Sequence, residues 1–133
     1  MRLFSGSRPT NLGYSAGKFA PPSWKPNAVS STVDRNDKHH IAPLTYTGAS
    51  TAAWKKLRAI IAAFKGAKII AEHENYLYAE FSSGMFGFVD DVEFALNEKE
   101  NLIQVRSASR LGVDDLGVNR KRIETIRRQL ASA

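Results

Sequence analysis

Between Lys68 and Arg110 the chain runs through four apolar-alternating stretches in tandem, and the joins are too short for anything but hairpins. The stretches are Lys68–His73, Tyr76–Ser83, Phe88–Leu96 and Leu102–Arg110. Glu74-Asn75 separates the first two. Gly84 and Gly87 bracket Met85-Phe86 as a loop, and the polar run from Asn97 to Asn101 joins the last two. A parallel crossover needs about a dozen residues or more, so these strands are antiparallel neighbours. Alternation sorts their side chains onto two faces. Leu77, Ala79, Phe81, Phe88, Val92, Phe94, Ile103 and Val105 make an apolar face. Tyr76, Tyr78, Glu80, Asp91, Glu93, Gln104, Arg106 and Arg110 make a polar one.

Two helical patterns flank these strands. Trp54, Leu57, Ile61 and Phe64 recur at helical spacing behind Ser50 or Thr51, either of which can cap the helix, and Gly66 suits its stop. Ile123, Ile126 and Leu130 share one face of a second helix from about Asn119 to Leu130, with Asn119 as its natural N-cap. Ile41 to Thr47 reads as a short strand, at an edge because of Pro43. The order β-α-β-β-β-β-α predicts an α+β domain, a mainly antiparallel sheet with two helices on one face. That order resembles a reduced helix-grip arrangement, an analogy of fold alone.

Residues 1–35 are rich in Ser, Gly, Pro and Asn, and Pro21, Pro22 and Pro26 hold the backbone extended around Trp24. Leu12, Tyr14, Phe19, Trp24 and Val29 are too apolar for a solvated tail. This arm is expected to lie draped on a single domain of residues 36–133, with only its first few residues loose.

The chain of 133 residues is long enough for a core of its own. It has no cysteine, so a disulfide framework, a thiolate metal site and a cysteine nucleophile are all excluded. The N-terminus lacks the apolar core of a secretory signal, and no apolar run approaches a membrane span. A soluble cytoplasmic protein is the expectation. The net charge of +6 is uneven: six basic and two acidic groups in residues 1–40, six and eight in 41–105, seven and three in 106–133. Without a long Lys/Arg block, packing of both basic ends onto an acidic middle accounts for this better than a nucleic-acid surface does. His39 and His40 are adjacent rather than spaced as ligands, so no metal site is expected. No phosphate loop, dinucleotide fingerprint or nucleophile elbow occurs, and no cofactor is expected.

Asp90 is the odd residue, a carboxylate on the apolar face. Ionised and unpartnered there it would be prohibitive, so it needs a cation. Arg120 or Arg122, at the start of the last helix, is the candidate. The same helix start places Arg120, Lys121 and Arg122 at the positive end of the backbone dipole, where something acidic must offset them. A buried ion pair locking helix to sheet satisfies both demands, and Arg120→Ala is then expected to destabilise the fold. An Asp/Arg site that binds an anion or moves a proton is the alternative, second to the ion pair because structural pairs also collect such residues. Asp91 and Glu93, two apart on the polar face, are close enough to share a divalent cation or act as an acid/base pair, but cross-strand pairing with Arg106 is the expected use.

The string RSASRLGVDDLGVNRKRIE from Arg106, preceded by FGFVDDVEF, YLYAEFSS, RPTNLG, PNAVSS and HHIAPL, resembles the domain-of-unknown-function family fourteen ninety-nine over nearly the whole chain. That family is found in bacteria and plastid-bearing organisms and has no established activity. The resemblance places its pattern on Asp90, Asp91, Glu93, Arg106, Ser107, Ser109, Arg110, Asp115, Asn119, Arg120, Arg122 and Glu124. It also implies a cysteine pair in the segment matching Pro22–Ser31; here Ala28 stands in that place. The departure agrees with a reducing compartment and speaks against export.

Three functions fit these residues. The first is a binding or accessory domain holding an anionic small molecule between the Arg106/Arg110 strand end and the Asn119–Arg122 helix start, with Ser107, Ser109 and Asp115 alongside. The second is an enzyme using Asp90, Asp91 or Glu93 as acid or base. The third is an interaction module whose charge network is internal. A pocket lined by Arg and Asp favours the first two, and a closed, fully paired network favours the third.

Overall fold

The computed structural model describes residues 5–84 and 87–132. The Met85-Phe86 stretch, read as a loop from the sequence, lies outside them, as do residues 1–4. Four strands form the body of the sheet: β5 (Ala67–His73), β6 (Tyr76–Ser83), β7 (Phe88–Asn97) and β8 (Leu102–Ser109). All are antiparallel to their neighbours, and their spatial order follows the sequence. Asn75 and Asn101 take the left-handed backbone that these tight joins require, a conformation Asn tolerates.

Helices α1 (Ser50–Ala63) and α2 (Val118–Ala131) pack on the apolar face, as the α+β reading expects. Leu57 and Ile61 from α1 meet Ile123 and Ile126 from α2 over Leu77, Phe81, Phe94 and Val105, all 2% exposed or less. The start of α1 and the extent of the first expected strand differ from the reading. Helix α1 begins after Ala49, and neither Ser50 nor Thr51 supplies a cap bond. The strand expected over Ile41–Thr47 shrinks to β4 (Leu44–Thr45), because Pro43 has no N–H to give and only Leu44 and Thr45 pair with β8.

The N-terminal segment carries more regular structure than its composition shows. Tyr14–Ser15 (β1) and Lys18–Phe19 (β2) form a small hairpin around Ala16-Gly17, both left-handed. Ala28–Ser30 (β3) is a fully buried edge strand of the main sheet, antiparallel to Arg106–Ala108. Chain order thus opens with three strands ahead of the seven elements read from the sequence. The segment before β3 lies across the polar face of the sheet.

Candidate functional site

On that polar face, register sets the pairs. Glu93 stands opposite Arg106, and Glu80 opposite Asp91. Asp91, 1% exposed, accepts both Nε and Nη2 of Arg110, at 3.2 and 2.7 Å, and the Tyr78 hydroxyl at 2.5 Å. Glu93, fully buried, accepts the Tyr76 hydroxyl and the Gly13 backbone N–H at 2.7 Å each. Arg106 reaches Glu93 at only 3.5 Å and donates its Nε to the Ala20 carbonyl at 3.1 Å. Glu80 is shared by Arg110 at 2.8 Å and Arg8 at 2.7 Å. Three arginines therefore meet three carboxylates. The third arginine, Arg8, comes from the arm, so the arm brings the network to neutrality.

The titration behaviour follows from these contacts. The Arg8 guanidinium, with Arg110 and Tyr78 behind it, holds Glu80 down to about 2 against the opposing effect of burial. Burial pushes the Tyr76 and Tyr78 hydroxyls up, and the carboxylates they donate to push them further. Bonding to Asp91 raises Arg110. At neutral pH Glu80 is therefore held ionised, and Tyr76, Tyr78 and Arg110 are held protonated.

The opposite face carries a second network. Arg122 donates Nη2 to Asp90 Oδ2 at 2.6 Å, and Nη1 to Asn119 Oδ1 at 2.8 Å and Ser107 Oγ at 3.1 Å. Its guanidinium also lies 4.9 Å over the Phe81 ring, a cation–π contact. Arg122 is thus the cation that Asp90 needs. Arg120 is not: it is exposed and gives one bond to the Lys38 carbonyl. Asn119 is corrected as well. The helix starts at Val118 after a left-handed Gly117, and Asn119 is inside the first turn, fully buried, bonded to Ser107, Ser109 and the Asn27 carbonyl. Asp115 takes the capping role. Its carboxylate accepts the N–H groups of Gly117 and Asn119 and the Asn119 amide. Burial opposes its ionisation, but these bonds outweigh it and hold Asp115 below the usual range. The positive end of α2 is met by a carboxylate of the chain itself.

The candidates named from the sequence therefore divide between two faces. Arg106, Arg110, Asp91 and Glu93 lie under the arm, and Asp90, Ser107, Asn119 and Arg122 lie under α2. Strand β8 separates them, so no single cleft runs from the Arg106/Arg110 end to the Asn119–Arg122 start.

Two cavities beside these networks share Ser109, Leu111 and Gly112 as a wall. One, about 390 Å³, lies between the arm and β8. Its cations are Lys25, Arg106 and Arg110, its neutral polar groups include Asn11, Asn27 and Ser109, and no carboxylate is among its described lining residues. The other, about 370 Å³, is across the Ser109–Gly112 segment and is lined by Asp90, Asp114 and Asp115, with no cation among its described lining residues. Among the described residues no cluster of His, Asp or Glu has the makings of a metal site. His39 is instead buried between Asp37 and the Lys25 carbonyl.

The chain matches the family described as a protein of unknown function, DUF1499, over residues 18–130. It belongs to that family. No curated protein matches it. In this DUF1499 domain the matched span holds both helices, the main sheet, and the lining of the cationic cavity apart from Asn11. Arg8 and Gly13 lie before it. Among the described residues no helix is long and apolar enough to cross a membrane.

Sequence reasoning missed Lys25 and Asn27. Asn27 belongs to the PNAVSS string, whose position in β8's neighbour strand carries it to the cavity wall. Lys25 has no comparable signal, being one half-buried lysine among many in the sequence.

Proposed function

We propose that this domain binds an anionic small molecule in the cavity between the arm and β8. The observation that carries the reading is the lining: three cations and no carboxylate around about 390 Å³, a volume in the ordinary small-molecule range. Arg110 is saturated by Asp91 and Glu80 and supplies background potential. Arg106 is the recognition group. It is 8% exposed, its bond to Glu93 is long, and its Nη2 has no partner among the described residues. A guanidinium edge with a flexible ammonium nearby suits a carboxylate or phosphate. Asn11, Asn27 and Ser23 offer neutral donors around it. A cleft lined by one sign of charge also concentrates its ligand.

The acid–base alternative has little support on the polar face. Asp91 and Glu93 have both oxygens engaged and line neither cavity. The closed network there supports a structural role, with the arm as its lid.

Native mass spectrometry of protein purified gently from its host tests the proposal. A reproducible mass excess that disappears on denaturation, and is lost from Lys25→Ala, is expected. An excess that Lys25→Ala retains would overturn the location. A bare mass together with no response to added carboxylates or phosphates would overturn the reading.

A further inference from the structure

The second cavity has the opposite character, and the fold does not account for it. Of the six large apolar side chains exposed among the described residues, four line it: Phe88, Leu111, Leu116 and Val118. Leu116 is 83% exposed and adopts φ 53°, a left-handed backbone that a glycine or asparagine would accept with less strain. Neither burial nor conformation explains a leucine there. An apolar rim of this kind on a small domain marks a place where something binds.

The base of the cavity adds a polar group of unusual kind. Asp90 is 7% exposed, and Arg122 takes only its Oδ2. Its Oδ1 has no hydrogen-bond partner among the described residues, although Asp90 lines the cavity. Among the described residues only the Tyr46 hydroxyl is both sealed from solvent and unpartnered, so the second Asp90 oxygen is open to solvent, where a ligand's donor can replace water. Asp114 and Asp115 add negative charge at the wall, and among the described residues no Lys, Arg or His lines the cavity to cancel it. Arg122 neutralises one charge from behind, which leaves the lining net acidic.

We infer that this cavity is a second binding site, for a small cation with an apolar body, such as an aryl- or alkylammonium group. The ammonium donates to Asp90 Oδ1, with Asp114 contributing at longer range, and the apolar body packs under Phe88, Leu111 and Leu116. A neutral apolar ligand would leave Oδ1 unpartnered, and an anion would be repelled by all three carboxylates. The site is opposite in sign to the arm–β8 cavity and shares only its Ser109, Leu111 and Gly112 wall; Lys25 lines that cavity and not this one, so Lys25→Ala separates the two.

Titration of the isotope-labelled full chain with 2-phenylethylammonium, followed by amide NMR, tests the inference. Saturable shifts are expected around 88–90 and 109–118, with the neutral 2-phenylethanol binding at least 10-fold more weakly and 3-phenylpropionate not at all. Asp90→Asn is expected to weaken the amine at least 10-fold. Because that variant disturbs the Arg122 pair, the exposed variants Asp114→Asn and Leu116→Ser provide the second reading, each expected to weaken binding several-fold with folding intact. Equal binding of the amine and the alcohol, or amine shifts elsewhere on the surface, or no saturable shift, would overturn the proposal.

Discussion

Arg120 and Arg122 sit two positions apart on α2, and their surroundings set them to different tasks. Arg122 is 8% exposed at its side chain and holds Asp90, Asn119, Ser107 and the face of Phe81. Arg122→Ala leaves Asp90 buried without its cation and is expected to cost about 3–5 kcal/mol in urea unfolding. Arg120→Ala removes one exposed bond and is expected to stay within about 0.5 kcal/mol. Equal effects would refute the assignment. On the polar face, Tyr76→Phe deletes one of the two donors to Glu93 Oε1. A loss of about 1.5–3 kcal/mol is expected by the same measurement, the range for hydrogen bonds to charged groups. The sequence identified the need for a cation at Asp90 from strand alternation alone. It left Arg120 and Arg122 unresolved because they flank the Ile123–Ile126–Leu130 stripe on opposite sides. Which flank meets β7 depends on the direction in which the helix crosses the sheet, and helical periodicity carries no information on that.

At the scale of elements, the hairpins were legible and the arm was not. Strands β5 to β8 declare themselves by a period of two and by joins too short for another topology. The arm is held differently. Its attachments include the Gly13 N–H on Glu93, the Ala20 carbonyl on Arg106 and the Ser5 carbonyl on Arg110. Any residue but proline supplies that N–H, and any residue at all supplies those carbonyls, so side-chain identity does not reveal the contact. β3 was hidden for a related reason: three residues are too few to show alternation, and all three are buried. The turn between α1 and β5 is the opposite case. Gly66 has φ +85°, and a Cβ added there would lie 2.4 Å from the Ser82 carbonyl oxygen, whose own N–H bonds the Gly66 carbonyl. Gly66→Ala is expected to destabilise by more than about 1 kcal/mol, read as a lowered melting temperature, since both conformation and space are wrong. An unchanged melting temperature would mean that the α1–β5 connection is packed otherwise.

For the molecule as a whole, charge is arranged in layers. Neutral networks lie on both faces of the sheet, and beside them open two cavities whose described linings are opposite in sign. The basic ends do pack against acidic strands, through Arg8 on Glu80, Arg110 on Asp91 and Arg122 on Asp90. This arrangement has a consequence for acid stability. Glu80 is held at about 2 against an ordinary 4.5, so its stabilising contribution is complete above pH 4.5 and is lost as pH falls through 2. The melting temperature of the wild type is expected to fall across that window, and that of Glu80→Gln, already lower at neutral pH, to fall less steeply. Parallel curves would show that Glu80 is not the group responsible.

The central claim is that the arm and β8 enclose an anion site. Amide shift mapping at low ionic strength, with inorganic phosphate and with succinate, addresses it most directly. Saturable shifts at Lys25–Asn27 and along Arg106–Gly112, weakened by added NaCl and by Lys25→Ala with the fold unchanged, are the expected result. Absence of saturable shifts there with both anions, or shifts that Lys25→Ala leaves intact, would contradict the account.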